Sequence, residues 1–249
     1  MPEKKLHLNL PKANGLFITA TDTGVGKTLV AGAIEKLLAD DGIKVAPFKP
    51  IATGCRKKGS GLVSTDAEFL AKFSNVELSL DMINPVRYET PASPMVSAIQ
   101  ENRPVNFDDI ANAYMEICRK SNFVIVEGIG GVRVPLTENI DVLDLAKEFA
   151  LPVIIVARAG LGTINHTLLT IDAVRKARLT LAGVIICNYN TKTDDIAEKT
   201  AERTIIKCGN IDVMATIPND PDVDTEKGIL GQYAYLALEE IPFFGIGTK

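Results

Sequence analysis

The sequence predicts an α/β fold, a mostly parallel sheet flanked by helices on both faces. Three observations carry that expectation. Short apolar runs alternate with segments whose apolar residues recur at helical spacing. Several of the runs are apolar almost throughout, as strands covered on both faces must be. A glycine-rich turn, Ala20–Thr28 (ATDTGVGKT), joins the first run to the first helical segment.

The elements follow in order. Strands are expected at Leu16–Ala20, Lys44–Phe48, Phe123–Val126, Val153–Ala157, Ala182–Cys187 and Ile211–Ile217. The first helix carries Val30, Ile34, Leu37 and Leu38 on one face. A second carries Ile110, Ala113, Tyr114 and Ile117, with Asn106 as its N-cap, and a third carries Ile164, Leu168, Ile171 and Val174. Thr53–Thr65, rich in glycine, serine and basic residues, reads as a mobile loop; Asn84–Pro94, with three prolines, reads as irregular. Residues 1–14 read as a loose polar leader, and 15–249 as one domain with no internal linker.

A chain of 249 residues can bury a large core. Its 46% hydrophobic and 23% charged residues are ordinary for a cytosolic globular protein. A net charge of −4 gives no broad attraction for nucleic acid or an anionic membrane. The most apolar later stretch, Leu151–Ala157, is too short to span a bilayer. Four scattered cysteines without a CxxC pair point to neither a disulfide framework nor a zinc site, so a reducing, cytoplasmic setting is expected. His7 and His166 are too few and too far apart for a histidine metal site.

Chemistry enters with the glycine-rich turn. In a strand–loop–helix context, Gly24, Val25, Gly26, Lys27, Thr28 and Leu29 form a phosphate-binding loop. Its glycines let backbone N–H groups face phosphate oxygens, and the helix N-terminus adds its positive end. Lys27 would bridge the β- and γ-phosphates of ATP, and the Thr28 hydroxyl would ligate Mg²⁺. The strict GxxxxGK[ST] pattern is not met, because Thr21 stands where its first glycine belongs. The fold expected is therefore P-loop NTPase-like, with a variant loop.

Other segments are weaker when read alone. Glu127 ends an apolar strand before Gly128, Ile129, Gly130 and Gly131, and is either a turn cap or a magnesium carboxylate; the nearby phosphate loop favours the second. Asp66 opens a helical segment, and its residues alone favour an N-cap. Lys49, at a strand's carboxyl end before Pro50, reads alone as a surface lysine. Gly162–Asn165 begins a helix with free N–H groups suited to an anion. Asp141 and Asp144 read as solvated, as does the basic trio Arg56, Lys57 and Lys58.

Together these segments resemble the dethiobiotin synthetase family from about Leu16 to about Pro218, in order and with similar spacing: TDTGVGKT, FKPIATG, STDA, NPVRYETPASP, VEGIGG, GLGTINHTLLT, LTLAGVIICN and ATIP. The resemblance implies ATP and Mg²⁺ as cofactors, and 7,8-diaminononanoate and CO₂ as substrates. It makes Asp66 and Glu127 magnesium-site carboxylates with Thr28, against the cap reading of Asp66. It makes Lys49 an active-site lysine beside the carbamate, with Lys27, and Thr23 and Thr53 substrate contacts. Gly128, Ile129 and Gly130 fall to the nucleotide side, Asn188 to the adenine, and Pro218, Asn219 and Asp220 to the segment lining the base. It also implies a homodimer in which Gly162, Thr163, Ile164 and Asn165 receive the substrate carboxylate from across the interface. The chain departs at Ala20, where a glycine is frequent, and at Gly24, where the resemblance allows a glutamate; beyond Pro218 it matches poorly.

Two other readings compete. A partition or cell-division type switch ATPase would act through a protein partner, but its signature lysine (KGGxGKT) is replaced here by Asp22. A cobyrinate amidating enzyme would need a glutamine-hydrolysing domain for which the chain has no room.

Overall fold

The structure, a computed structural model, describes residues 6–59 and 61–248. The elements in chain order are β1 (Gly15–Ala20), α1 (Lys27–Asp40), β2 (Val45–Phe48), β3 (Ile51–Ala52), β4 (Arg56–Lys58), β5 (Gly61–Val63) and α2 (Thr65–Ala71). Then come α3 (Leu80–Ile83), β6 (Val86–Arg87), α4 (Pro94–Gln100), α5 (Phe107–Lys120), β7 (Phe123–Gly131) and α6 (Val142–Phe149). The chain continues with β8 (Val153–Arg158), α7 (Thr163–Lys176), β9 (Leu181–Tyr189), α8 (Ile196–Gly209), β10 (Val213–Pro218), α9 (Tyr233–Leu238) and α10 (Phe243–Gly247).

Six strands form one parallel sheet in the order β10-β9-β8-β1-β7-β2. Alternate side chains feed two cores, as the period of a strand requires. Phe17, Val124, Val126, Ile155 and Ile186 point to the layer that includes Tyr114, Phe149 and Val174 of α5, α6 and α7. Leu16, Ile18, Ile125, Ile154 and Ile185 point to the layer of α1, α2 and α9. Each of the six expected strands is present; five agree within two residues at either end, while β7 runs past Val126 to Gly131.

Local chemistry sets several boundaries. Asn106 accepts N–H bonds from Asp108 and Asp109 and caps α5, as its sequence suggests. Asp141 and Asp144 are not merely solvated. They form a capping box at the start of α6, each side chain accepting the other's backbone N–H.

The leader and the basic loop also differ from expectation. Of the leader, residues 1–5 lie outside the described residues. Leu6, Leu8, Leu10 and Ala13 pack on the core, and the Leu8 N–H donates to Glu148 at 2.6 Å. Apolar side chains at alternate positions in that segment find a covered surface, so it is not a loose tail. Within Thr53–Thr65 the chain forms an antiparallel hairpin of β4 and β5. Arg56 and Lys58 there both pair with Glu68, and Lys57 with Glu89, so the basic trio is partnered rather than simply solvated.

Candidate active site

The carboxyl ends of β1, β2, β7 and β9 converge on one cavity of about 420 Å³, where ligands of open parallel sheets bind. From β1 comes the phosphate loop. Gly26 holds φ at 108°, and a Cβ there would press on the Cys187 side chain of β9, so only glycine lets the loop lie this low. No side chain caps α1, whose first N–H groups are left for a ligand. Thr23, Gly24, Gly26, Lys27, Thr28 and Leu29 all line the cavity, while Val25 is buried beneath it. Lys27 bonds to the Asp22 carbonyl at 3.2 Å. Burial, helped by neighbouring Lys49, lowers its pKa to about 8.

From β2 comes Lys49, only 2% exposed. Its backbone is fixed from both sides: its N–H donates to the Ile83 carbonyl, and its own carbonyl accepts from the Asn84 amide at 2.7 Å. Its ammonium meets Glu127 Oε1 at 2.6 Å, Asp66 Oδ2 at 2.9 Å and the Gly128 carbonyl at 3.2 Å. Burial opposes this charge, but Asp66 and Glu127 together outweigh burial and raise the pKa, so Lys49 stays an ammonium. Lys49 is therefore a buried counter-ion rather than a surface lysine.

The two carboxylates close the group. Ser64, not Asp66, caps α2, its hydroxyl accepting from the Ala67 N–H, which leaves the Asp66 side chain free to face Lys49. Lys49 holds the Asp66 carboxyl below its ordinary range. Glu127 is fully buried; that burial raises its pKa against the pull of Lys49. The Thr28 hydroxyl donates to the same Glu127 Oε1 at 3.0 Å, and Oε2 has no partner. An unpartnered buried carboxylate oxygen beside a threonine hydroxyl and a second carboxylate is an oxygen donor set suited to a hard divalent cation. Among the described residues no three His, Cys, Asp or Glu side chains cluster for a metal. Two carboxylates with phosphate oxygens are what Mg²⁺ ordinarily uses.

The remaining candidates divide. Thr53, Ile129, Gly130 and Asn188 line the cavity, Asn188 in the left-handed region at φ 60°. Pro218, Asn219 and Asp220 do not. Pro218 lines a separate hollow with Tyr189 and Thr216, the Asn219 N–H donates to the Tyr189 carbonyl, and the Asp220 carboxylate is occupied by the N–H groups of Asp222, Gln232 and Tyr233. From that same stretch Val223 and Thr225 reach the cavity instead, and no sequence motif pointed to them. Asn84, which sets Lys49, also escaped sequence reasoning, because its partner lies 35 residues away. Gly162 is the N-cap of α7 at φ 93°, followed by Thr163, Ile164 and Asn165; this turn lies outside the cavity of its own chain.

Fold and site together define a P-loop nucleotide-binding α/β protein. The family model described as AAA domain matches residues 14–227. The chain is 37% identical over 220 residues to the ATP-dependent dethiobiotin synthetase of Thermodesulfovibrio yellowstonii, covering 86% of this chain and 92% of that protein. To the corresponding Methanocaldococcus jannaschii protein it is 40% identical over 220 residues, covering 85% and 98%. The chain belongs to the ATP-dependent dethiobiotin synthetase family.

Among solved structures, the MinC:MinD cell division complex of Aquifex aeolicus matches with TM-score 0.57 and 17% identity, over 91% of this chain and 93% of that one. MinD with Mg-ADP from Pyrococcus horikoshii matches with TM-score 0.56 and 18% identity, over 95% and 99%. At that identity the likeness concerns the fold alone. No described helix is long and apolar enough to cross a membrane.

Proposed function

We propose that this chain closes the ureido ring of dethiobiotin from 7,8-diaminononanoate and CO₂ at the expense of ATP. It is an ATP-dependent ligase, and the observation that best supports the finer reading is the Lys27–Lys49–Asp66–Glu127 group beside the phosphate loop. One substrate amine takes up CO₂ and loses a proton, giving a carbamate. A carbamate oxygen attacks the γ-phosphorus and expels ADP, which leaves a carbamic–phosphoric anhydride. The second amine then attacks the carbonyl carbon, forms the ring and expels phosphate.

The residues supply what this sequence of steps needs. Carbamate and triphosphate repel each other, so cations must hold them in line. Lys27 is placed to hold the phosphates and Lys49 the carbamate, while Thr23 and Thr53 contact the diamine. Thr28, Asp66 and Glu127 would hold Mg²⁺, which when bound neutralises charge on the phosphates. Asn188 reads the adenine. No side chain need attack the substrate, in keeping with a site made of charges and backbone donors.

We further read residues 15–249 as one domain and the protein as a cytoplasmic homodimer. In it the α7 turn at Gly162–Asn165 takes the carboxylate of a substrate bound to the other protomer. Thr163, 1% exposed with its hydroxyl unpartnered, supports a polar role for that turn. Phosphate release tests the assignment: it should require ATP, the diamine and CO₂ together. Release that needs neither small molecule, and responds instead to a protein partner, would favour the switch-ATPase reading.

A further inference from the structure

We propose that Lys72 is a positioning residue that straps the loop 220–231 across α1 and so fixes the base-and-ribose end of the nucleotide. The inference rests on reading the cavity as the ATP site. That cavity is laid out along the sheet. Lys49 and Glu127 come from β2 and β7, the phosphate loop from the central β1, and Asn188 from β9 toward the other edge. The loop after β10 adds Val223 and Thr225 at the Asn188 end.

This loop is mostly tied to itself. Asp220 accepts N–H bonds from Asp222, Gln232 and Tyr233, and Asp224 and Ile229 exchange backbone bonds at 3.0 and 2.8 Å. The Lys227 ammonium turns back to Asp224 at 2.8 Å. Leu230 anchors one end in the core. Among the described residues, one hydrogen bond ties the middle of the loop to a distant part of the chain: Lys72 Nζ donates to the Lys227 carbonyl at 2.5 Å. The stem of Lys72 also lies flush on Gly228, where a Cβ would overlap its last carbons and nitrogen, and whose φ of 70° suits glycine.

Lys72 is well placed for this because of the helix it ends. It is the C-cap of α2, and Phe69 and Phe73 on that same segment rest against Gly32 of α1. The strap therefore passes over the phosphate-loop helix. It joins the chain that carries Asp66 to the chain that carries Val223 and Thr225. A charged donor on a surface carbonyl contributes little to global stability. Where the held segment is a wall of the ligand site, its loss appears in ligand affinity.

The test is Lys72→Met, with calorimetric binding of MgATP and of magnesium tripolyphosphate, which lacks base and ribose. Losing one such hydrogen bond should weaken MgATP about threefold to tenfold. Tripolyphosphate binding should not change, KM for ATP should rise, and kcat at saturating ATP should hold. Unchanged MgATP affinity, or equal weakening of both ligands, overturns the strap. Lys27→Met run alongside separates the two readings, because it should weaken both ligands. If it weakens neither, the nucleotide reading of the cavity fails and the strap falls with it.

Discussion

Two buried side chains carry opposite lessons at the scale of the residue. Lys49 is compensated twice, and removing it leaves Glu127 and Asp66 facing each other. Breaking a fully buried pair costs roughly 3–5 kcal/mol, and the lower end applies here because Asp66 is 39% exposed. Lys49→Met should therefore melt earlier in a chelator, recover much of the loss in MgATP, and turn over at least about a hundredfold more slowly. A melting temperature indifferent to magnesium would show that the carboxylates do not take the cation. Glu35 of α1, by contrast, is fully buried and neither of its oxygens has a partner.

Burial, with a smaller contribution from Glu127, raises the Glu35 pKa well above the carboxylate range. A group with a raised folded pKa contributes stability below its unfolded pKa and loses it as pH rises through the folded value. Glu35→Met should therefore stabilise the protein by about 1–3 kcal/mol at alkaline pH. The gain should shrink as pH falls toward the unfolded pKa. Denaturant melts of both proteins at several pH values would show it; a gain independent of pH would mean that packing, not ionisation, is responsible.

Elements were legible where their signals are local. The phosphate loop announced itself through glycines set between an apolar strand and an amphipathic helix, despite Thr21. Asn106 announced α5 in the same way. Asn106→Ala should cost about 1 kcal/mol in chemical denaturation and leave phosphate release untouched, because α5 packs behind the sheet, away from the cavity. A loss of turnover beyond the loss of folded protein would contradict that division. The box at Asp141 and Asp144 is equally local, an acid three residues after an acid, although the face they share with Leu143 and Ala146 reads as solvated.

What the residues alone could not disclose is grouping at a distance. Lys49, Asp66 and Glu127 lie far apart in the chain, and the parallel pairing of β2 with β7 and the start of α2 bring both carboxylates within 3 Å of the Lys49 ammonium. Family resemblance supplied their roles, and the structure supplied the reason each is held. Ser64 takes the cap so that Asp66 need not, and Asn84 pins the backbone of Lys49. Val223 and Thr225 had no such help, since no motif of the resemblance reaches past Pro218.

At the scale of the whole molecule the sheet works as a ruler, with the charged groups at the β2–β7 end and Asn188, Val223 and Thr225 at the β9–β10 end. Within the charged end, two ammonium groups face two carboxylates, and their formal charges cancel. A site that is its own counter-salt casts no long-range field, and the chain as a whole carries −4. Free triphosphate is then not drawn in from afar; it arrives by unaided diffusion and exchanges partners only on contact. The association rate of MgATP should thus change little between about 0.05 and 0.5 M salt, a range over which electrostatically steered encounters slow steeply. Stopped-flow binding of a fluorescent ATP analogue would measure it, and a steep fall with salt would mean that the field is set by more than these four groups.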